Sequence, residues 1–258
     1  MIGPLIGMVH LGPLPGSPSF GGDLDGLIGA AAADAATLAS AGFDAVCVEN
    51  FGDVPYFADD VPKSTVAAMA VAVGAVGETV VIPVGVNVLR NDAVAALAVA
   101  VAAGASFIRV NVLSGAMATD QGWITGRAAE LARLRASLGS RVAVLADVHV
   151  KHAVPPPGMG LVESARDTWE RAGADGLILS GAATGAPTSA DDLRVVRDAL
   201  GAAVPLYVGS GATVETAAAL LDVADGLIVG TAVKHAGVVT EAVDPERAAA
   251  FVAAARRR

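Results

Sequence analysis

The feature that most constrains this chain is an internal repeat. Four segments align with one another: "AGFDAVCVEN" (41–50), "AGASFIRVNV" (103–112), "AGADGLILSG" (172–181) and "VADGLIVGT" (223–231). Each reads as the end of a helix followed by a short β-rich apolar run of the kind that buried parallel strands carry, and in the first three a glycine suited to the left-handed region closes the helix. A second series interleaves with the first: "GETVVIPVGVNV" (77–88), "GSRVAVLADVHV" (139–150) and "GAAVPLYVGSG" (201–211), whose leading residues Gly77, Gly139 and Gly201 recur at one constant interval. With "PLIGMVHL" (4–11) as the opening member the chain has eight strands. Ala-rich stretches of helical period separate them, at 24–41, 64–76, 92–103, 127–138, 161–172, 189–200, 213–221 and 244–256. Strict βα alternation through eight units predicts a single (β/α)8 barrel of the TIM type over residues 1–258. A doubly wound open sheet is the competing fold, but it does not require a quarter-turn repeat throughout.

The composition, 54% hydrophobic and 17% charged residues, is that of a compact globule rather than a disordered chain. A formal charge of −9 makes the surface as a whole repel nucleic acid and anionic lipid, so an anionic ligand needs a local cluster of cations. The single Cys47 lies among strand-like apolar residues and reads as a core thiol. The opening residues lack a basic segment before an apolar one, which predicts a cytoplasmic location. The uncharged stretch 93–108 is broken by Gly104 and falls short of the ~20 apolar residues a spanning helix needs, so no membrane span is expected.

A barrel places its reacting groups at the C-terminal ends of the strands and in the loops that follow. All four histidines (His10, His149, His152, His235) and all three lysines (Lys63, Lys151, Lys234) fall at or just after such ends in the sequence, and none is expected on a helix face. The repeat puts Glu49, Asn111, Ser180 and Gly230 in one column and closes the other strands with His10, Asn87, Asp147 and Gly209. Period-two alternation sets Asp147, His149 and Lys151 on one side if that strand stays extended, and pairs Arg109 with Asn111. The candidate catalytic residues are therefore Asp147, His149, Lys151, Glu49 and His10. In the last quarter, Gly209, Ser210, Gly211, Gly230 and Thr231 form two glycine-containing turns where backbone N–H groups can approach a phosphate, in the loops after the seventh and eighth strands that barrels of this type use for that purpose. Asn87, Arg109, Asn111, Ser180 and Gly181 complete the expected substrate-binding set. The alternative for the two turns is that they need glycine only for geometry.

These residues suit proton transfer beside a carbonyl: Asp147 or Glu49 as base, His149 or Lys151 as acid or oxyanion partner. Isomerisation, epimerisation and retro-aldol cleavage of a small phosphorylated ligand, a sugar phosphate or phosphoribosyl compound, are all compatible. Lys151 serves either as a Schiff-base amine or as an electrostatic partner of a substrate anion. The sequence specifies no particular cofactor, and a divalent metal held by Glu49, Asp147, His149 and His10 is chemically possible. Four long loops, 11–23, 51–63, 113–126 and 153–160, hold Phe20, Phe51, Tyr56, Phe57 and Trp123 and could close over a ligand or meet a partner. A homo-oligomer is expected for a protein of this kind.

The strings "GMVHLGPLPGSP", "VENFGD", "GVNVLRND", "IRVNV", "LADVHVKHA", "VGSGAT" and "ADGLIVGT", taken in order, resemble the BtpA/SgcQ family from Gly7 to about Gly237. The resemblance implies a phosphate-binding TIM barrel. It also implies a second functional reading, because the family takes its name from a role in photosystem I accumulation: a non-catalytic assembly or regulatory factor that binds a phosphorylated effector.

Overall fold

The computed structural model describes residues 2–181 and 188–257. In chain order its strands are β1 (Leu5–His10), β2 (Ala45–Glu49), β3 (Val84–Asn87), β4 (Phe107–Val110), β5 (Ala116–Thr119), β6 (Gly122–Thr125), β7 (Ala143–Val148), β8 (Gly176–Leu179), β9 (Leu206–Val208) and β10 (Gly226–Val229). All but β5 and β6 pair in parallel and close into an eight-stranded ring, β10 returning to β1. The helices are α1 (Leu24–Ala41), α2 (Lys63–Thr79), α3 (Ala93–Ala103), α4 (Ala128–Ser137), α5 (Leu161–Arg166), α6 (Ala190–Leu200), α7 (Ala217–Leu221) and α8 (Pro245–Ala255). This is the (β/α)8 barrel that the repeat predicts.

Four details differ from the sequence reading. Residues 113–126 are not a plain loop, because β5 and β6 form an antiparallel hairpin there. The fifth helix continues from α5 through a π-helical turn at Asp167–Arg171. The seventh starts at Ala217 rather than near Thr213, since Thr213 donates its N–H to Thr216 Oγ1 (3.0 Å) in a turn that precedes the helix. Lys63 is the first residue of α2 instead of a strand-end residue.

Local chemistry explains the helix limits. Asp23 and Asp92 accept the N–H groups of Gly26 and Ala95, each at 2.8 Å, and start α1 and α3. Gly42 (φ 99°) and Gly104 (φ 72°) end them in the left-handed conformation. Inside the ring, Ile6, Met8, Ala45, Cys47, Phe107, Leu145, Ile178, Tyr207 and Ile228 form one apolar plug. A side chain at Gly85 would collide with the Phe107 ring, so β3 has room for the aromatic only because it carries glycine. Burial pushes the Cys47 thiol pKa up, as expected of a core thiol.

The aspartate in the repeat has a structural role. Asp44, Asp175 and Asp225 each accept the N–H of the first or second residue of the preceding strand, from Leu5 (3.0 Å), Val144 (2.8 Å) and Leu206 (2.8 Å). An arginine from the helix entering that unit completes each latch: Arg256 to Asp44 (3.2 Å), Arg135 to Asp175 (2.5 Å) and Arg197 to Asp225 (2.6 Å). In the remaining quarter, between β3 and β4, Ser106 occupies this position and keeps the main-chain bond to Val84 O (2.7 Å), without a corresponding side-chain latch among the described residues.

The last loop is tied back to the first helix by a buried ion pair. Lys234 Nζ donates to Asp34 Oδ2 (2.6 Å), and Asp34 Oδ1 accepts the Val243 N–H (2.8 Å). Removing one member of such a pair strands a buried charge, so Lys234→Met is expected to lower unfolding free energy by about 3–5 kcal/mol. Arg194→Met, which breaks an exposed pair with Asp191, should cost less than about 1 kcal/mol. Urea unfolding midpoints of the two variants provide the check.

Candidate active site

The polar rim of the barrel is the apolar plug continued upward by strand alternation. On β1 the inward series Ile6, Met8 leads to His10; on β2 Cys47 leads to Glu49; on β4 Phe107 leads to Arg109; on β7 Leu145 leads to Asp147. Ile178, Tyr207 and Ile228 lead in the same way to Ser180, Gly209 and Gly230. Strand register aligns His10 with Glu49, Glu49 with Asn87 and Asn87 with Arg109. Arg109 rather than Asn111 is therefore Asn87's neighbour, and Asn111 lies one pleat higher, past the end of β4.

The centre of the rim is a buried fork. Arg109 donates from Nε and Nη2 to Asp147 Oδ2 and Oδ1, both at 2.8 Å. Ser180 Oγ donates to Asp147 Oδ1 (3.1 Å), and Asn111 Nδ2 to Oδ2 (3.3 Å). A carboxylate offers about four acceptor sites, so these four donors fill them. Burial opposes the Arg109 charge, and the Asp147 carboxylate more than offsets that effect, so the guanidinium pKa is raised.

Beside this fork is a cavity of about 150 Å³. His10, Glu49, Arg109 and Lys151 line it together with Gly209, Ser210, Gly211, Gly230 and Thr231, and Phe51 packs against the His10 ring (4.7 Å between centroids). Glu49 Oε2 accepts from Asn87 Nδ2 (2.5 Å), while Oε1 stands 3.8 Å from His10 Nε2. His10 Nδ1 bonds the Val239 carbonyl (3.3 Å). Since a carbonyl only accepts, this bond puts the proton on Nδ1 and leaves the Nε2 lone pair facing Glu49 and the cavity. Burial lowers the His10 pKa to about 4, against the opposing pull of Glu49. Lys151 is also lowered, first by burial and then by the Arg109 charge, and forms no ion pair among the described residues.

The two glycine turns lie close to these groups. A side chain at Gly209 would strike Ser180 Oγ and crowd Arg109 Nη2 (3.1 Å), and one at Gly230 would press on His10 (3.0 Å). Ser210 Oγ is buried without a hydrogen-bond partner among the described residues. A buried unsatisfied hydroxyl is costly unless it meets a ligand or water, so this wall can accept an oxyanion.

Of the expected members, Asp147, His149, Asn87, Asn111, Ser180 and Gly181 do not line this cavity. His149 adopts φ 51°, which breaks the alternation on which its placement depends, and its Nε2 bonds Ser164 Oγ (2.9 Å) on α5. Lys151, two residues further on, returns to the cavity. Asn111 and Asp147 border a smaller recess with His149, where Asn111 Oδ1 is buried without a partner among the described residues. Gly181 is buried immediately before the undescribed segment. Among the described residues, no group of three or more His, Cys, Asp or Glu side chains is arranged to hold a metal ion.

Several residues that sequence reasoning did not single out brace the loops. Asn50 accepts the Leu89 N–H (2.6 Å) and donates to Asp53 (3.0 Å), and Asp53 accepts the Leu14 N–H (2.7 Å). Asn91 bonds both the N–H and C=O of Val112 (2.7 and 3.0 Å), and Asp92 accepts the Val61 N–H (3.0 Å). Arg90 Nη2 donates to the Lys151 carbonyl (2.5 Å) and fixes the backbone from which that lysine projects. These residues are the less conspicuous letters of "VENFGD" and "NVLRND", and a polar residue in a loop string gives no sign by itself that it will be buried.

Comparison with known proteins agrees with this architecture. The chain is 49% identical over 251 residues to the photosystem I biogenesis protein BtpA of Synechocystis sp., covering 97% of this chain and 87% of that protein. It is 52% identical over 256 residues to an uncharacterised protein of Thermococcus kodakarensis (98% and 95% covered). It is 34% identical to the putative sgc region protein SgcQ of Escherichia coli (96% and 92% covered). Among solved structures it resembles Mycobacterium tuberculosis tryptophan synthase (TM-score 0.64, 21% identity, 99% and 93% covered). It also resembles phosphoribosyl anthranilate isomerase from Thermococcus kodakaraensis (TM-score 0.56, 18% identity, 99% and 100% covered). At these identities the structural likenesses establish the fold alone. The sequence matches the BtpA family over residues 1–257, and with relatives this similar along nearly its whole length the chain belongs to that family.

Proposed function

We propose that the protein is an enzyme acting on a small phosphorylated metabolite, a sugar phosphate or phosphoribosyl compound, by isomerase- or lyase-type acid/base chemistry. The observation that carries this reading is the convergence of Glu49, His10 and Lys151 on one cavity that is also lined by glycine backbone and by Ser210, whose hydroxyl has no hydrogen-bond partner among the described residues. The phosphate docks on Gly209–Gly211 and Gly230–Thr231, which sets the reacting carbons toward the carboxylate. Glu49 is the base, since one of its oxygens is held by Asn87 and the other faces the cavity. Asp147, with every acceptor site occupied, is a positioning residue that keeps Arg109 charged and in place. The Lys151 ammonium stabilises the oxygen that becomes negative as the carbon loses its proton, and His10 Nε2 takes up or returns a hydroxyl proton.

A second reading draws on the relative named for photosystem I biogenesis. Ala118 on β5 pairs with both Trp123 of β6 and Val154, so that Trp123 (62% exposed) and Val154 (65% exposed) stand in one apolar row above the mouth. Directly opposed residues share a face of a sheet, and exposed aromatics of this kind suit a partner surface. An assembly factor would keep its activity in Glu49→Gln and lose it in Trp123→Ala.

Glu49→Gln is expected to lower kcat by about 10²–10⁴-fold while inorganic phosphate and substrate still bind, as read by calorimetry. Asp147→Asn should instead lower stability by about 3–5 kcal/mol, since it leaves the buried Arg109 uncompensated, and thermal and urea melts would show the loss. The charged form of Lys151 is the active one and its pKa lies below the usual 10.5, so kcat/KM should fall with rising pH at a limb below that value. Lys151→Arg should remove this limb. A neutral His10 should hold the acid limb near pH 4 rather than at the ordinary 6.5.

A further inference from the structure

Charge is distributed unevenly around the outside of the barrel. α4 and α6 expose ordinary mixed charge, among it Glu130, Arg133, Asp191 and Arg194. The outer faces of the three neighbouring helices α1, α2 and α3 are built from Ala, Gly, Val and Ser between their end turns, and the one charged residue within those spans, Asp34, is buried in its pair with Lys234. Val71 on α2 and Val101 on α3 are 56% and 38% exposed. This same wall belongs to the quarter in which Ser106 replaces the aspartate latch and no arginine enters from α2.

α2 forms the middle of this wall, and its exposed stripe has a specific pattern. Helical periodicity puts Lys63, Ala67, Val71, Gly74 and Glu78 on one face, so that the stripe is apolar along its length, with a cation at one end and a carboxylate at the other. The stripe is therefore complementary to itself when turned end for end. A second copy laid with its α2 antiparallel brings Lys63 against Glu78 at both ends and Val71 against apolar surface in the middle, the arrangement that an isologous two-fold contact requires.

We infer that the α1–α3 wall is the contact face of a homodimer related by a two-fold axis across antiparallel α2 helices. Two further considerations favour a second copy as the occupant. A chain of net charge −9 repels itself over most of its surface, and this wall is where two copies meet without opposing like charges. Helices of 18, 17 and 11 residues, rising 1.5 Å per residue and set ~10 Å apart, present roughly 600 Å² per copy, so a contact that engages the whole wall would approach about 1,200 Å², the lower end of stable interfaces. The contact leaves the barrel mouth open and is independent of the reaction proposed above.

The test is sedimentation equilibrium of the full chain over a range of concentrations. The wild type should sediment as a dimer, and Val71→Glu as a monomer with an unchanged circular-dichroism melt at low protein concentration. Lys63→Glu and Glu78→Lys should each raise the dimer dissociation constant roughly tenfold, because each puts like charges together, and the double reversal should restore it to within a few-fold of wild type. A wild type that stays monomeric at the highest soluble concentration overturns the inference. So does a dimer indifferent to Val71→Glu, or a double reversal no tighter than either single one.

Discussion

The mouth of this barrel depends on one buried ion pair. Above the apolar plug Arg109 on β4 grips Asp147 on the adjacent strand β7, and Ser180 and Asn111 occupy what that carboxylate has left to offer. A guanidinium in this position would be untenable alone, and the fork makes it a fixed positive charge under the cavity. Other features of the site follow from that charge. It helps hold the Lys151 pKa down, it adds a positive field to the cavity, and it leaves Glu49 as the carboxylate with a free edge. The rim separates a carboxylate that organises from one that can act, although the two are similar in chain position and chemistry.

The fold could be read in the sequence because its signals are local and repeated. Glycine stops, β-rich runs and Ala-rich stretches each depend on a few neighbouring residues, and their recurrence fixes the ring. The site was partly legible for the same reason: two-residue alternation carries Met8 to His10 and Cys47 to Glu49 whatever lies across the barrel. Asp147 was legible as a rim residue but not as a saturated one, since its donors come from β4, β8 and the loop after β4. His149 escaped because a single backbone angle, φ 51°, redirects it toward Ser164. Lys234 looks like a mouth residue in a chain with few lysines. Its partner was visible all along as the solitary Asp34 inside the Ala-rich run of α1, an acid that makes sense there only when paired.

The loops show how a small mouth is kept in register. Asn50, Asp53, Asn91 and Asp92 each bond backbone in a neighbouring loop, so the segments after β1, β2, β3 and β4 are pinned together by short side chains. Such side chains lose little rotamer freedom when fixed and satisfy backbone groups that a buried loop would otherwise leave open. Arg90 extends this bracing to Lys151 by holding the lysine's own carbonyl, so that the position of the ammonium is set from below as well as by its surroundings.

The unequal latching around the ring has a consequence for motion. Of the four seams that the repeat makes equivalent, three are stitched at their N-terminal ends by an aspartate that joins a strand to an incoming arginine, whereas the β3–β4 seam has Ser106 there and relies on main-chain bonds and packing. Among those four, the β3–β4 seam should open most cheaply at that end, and its amides should exchange faster than those of the three latched seams. Since α2 and α3 cover the same stretch from outside, anything bound to them suppresses that breathing by mass action. A second copy seated there would couple the opening of the β3–β4 seam to protein concentration.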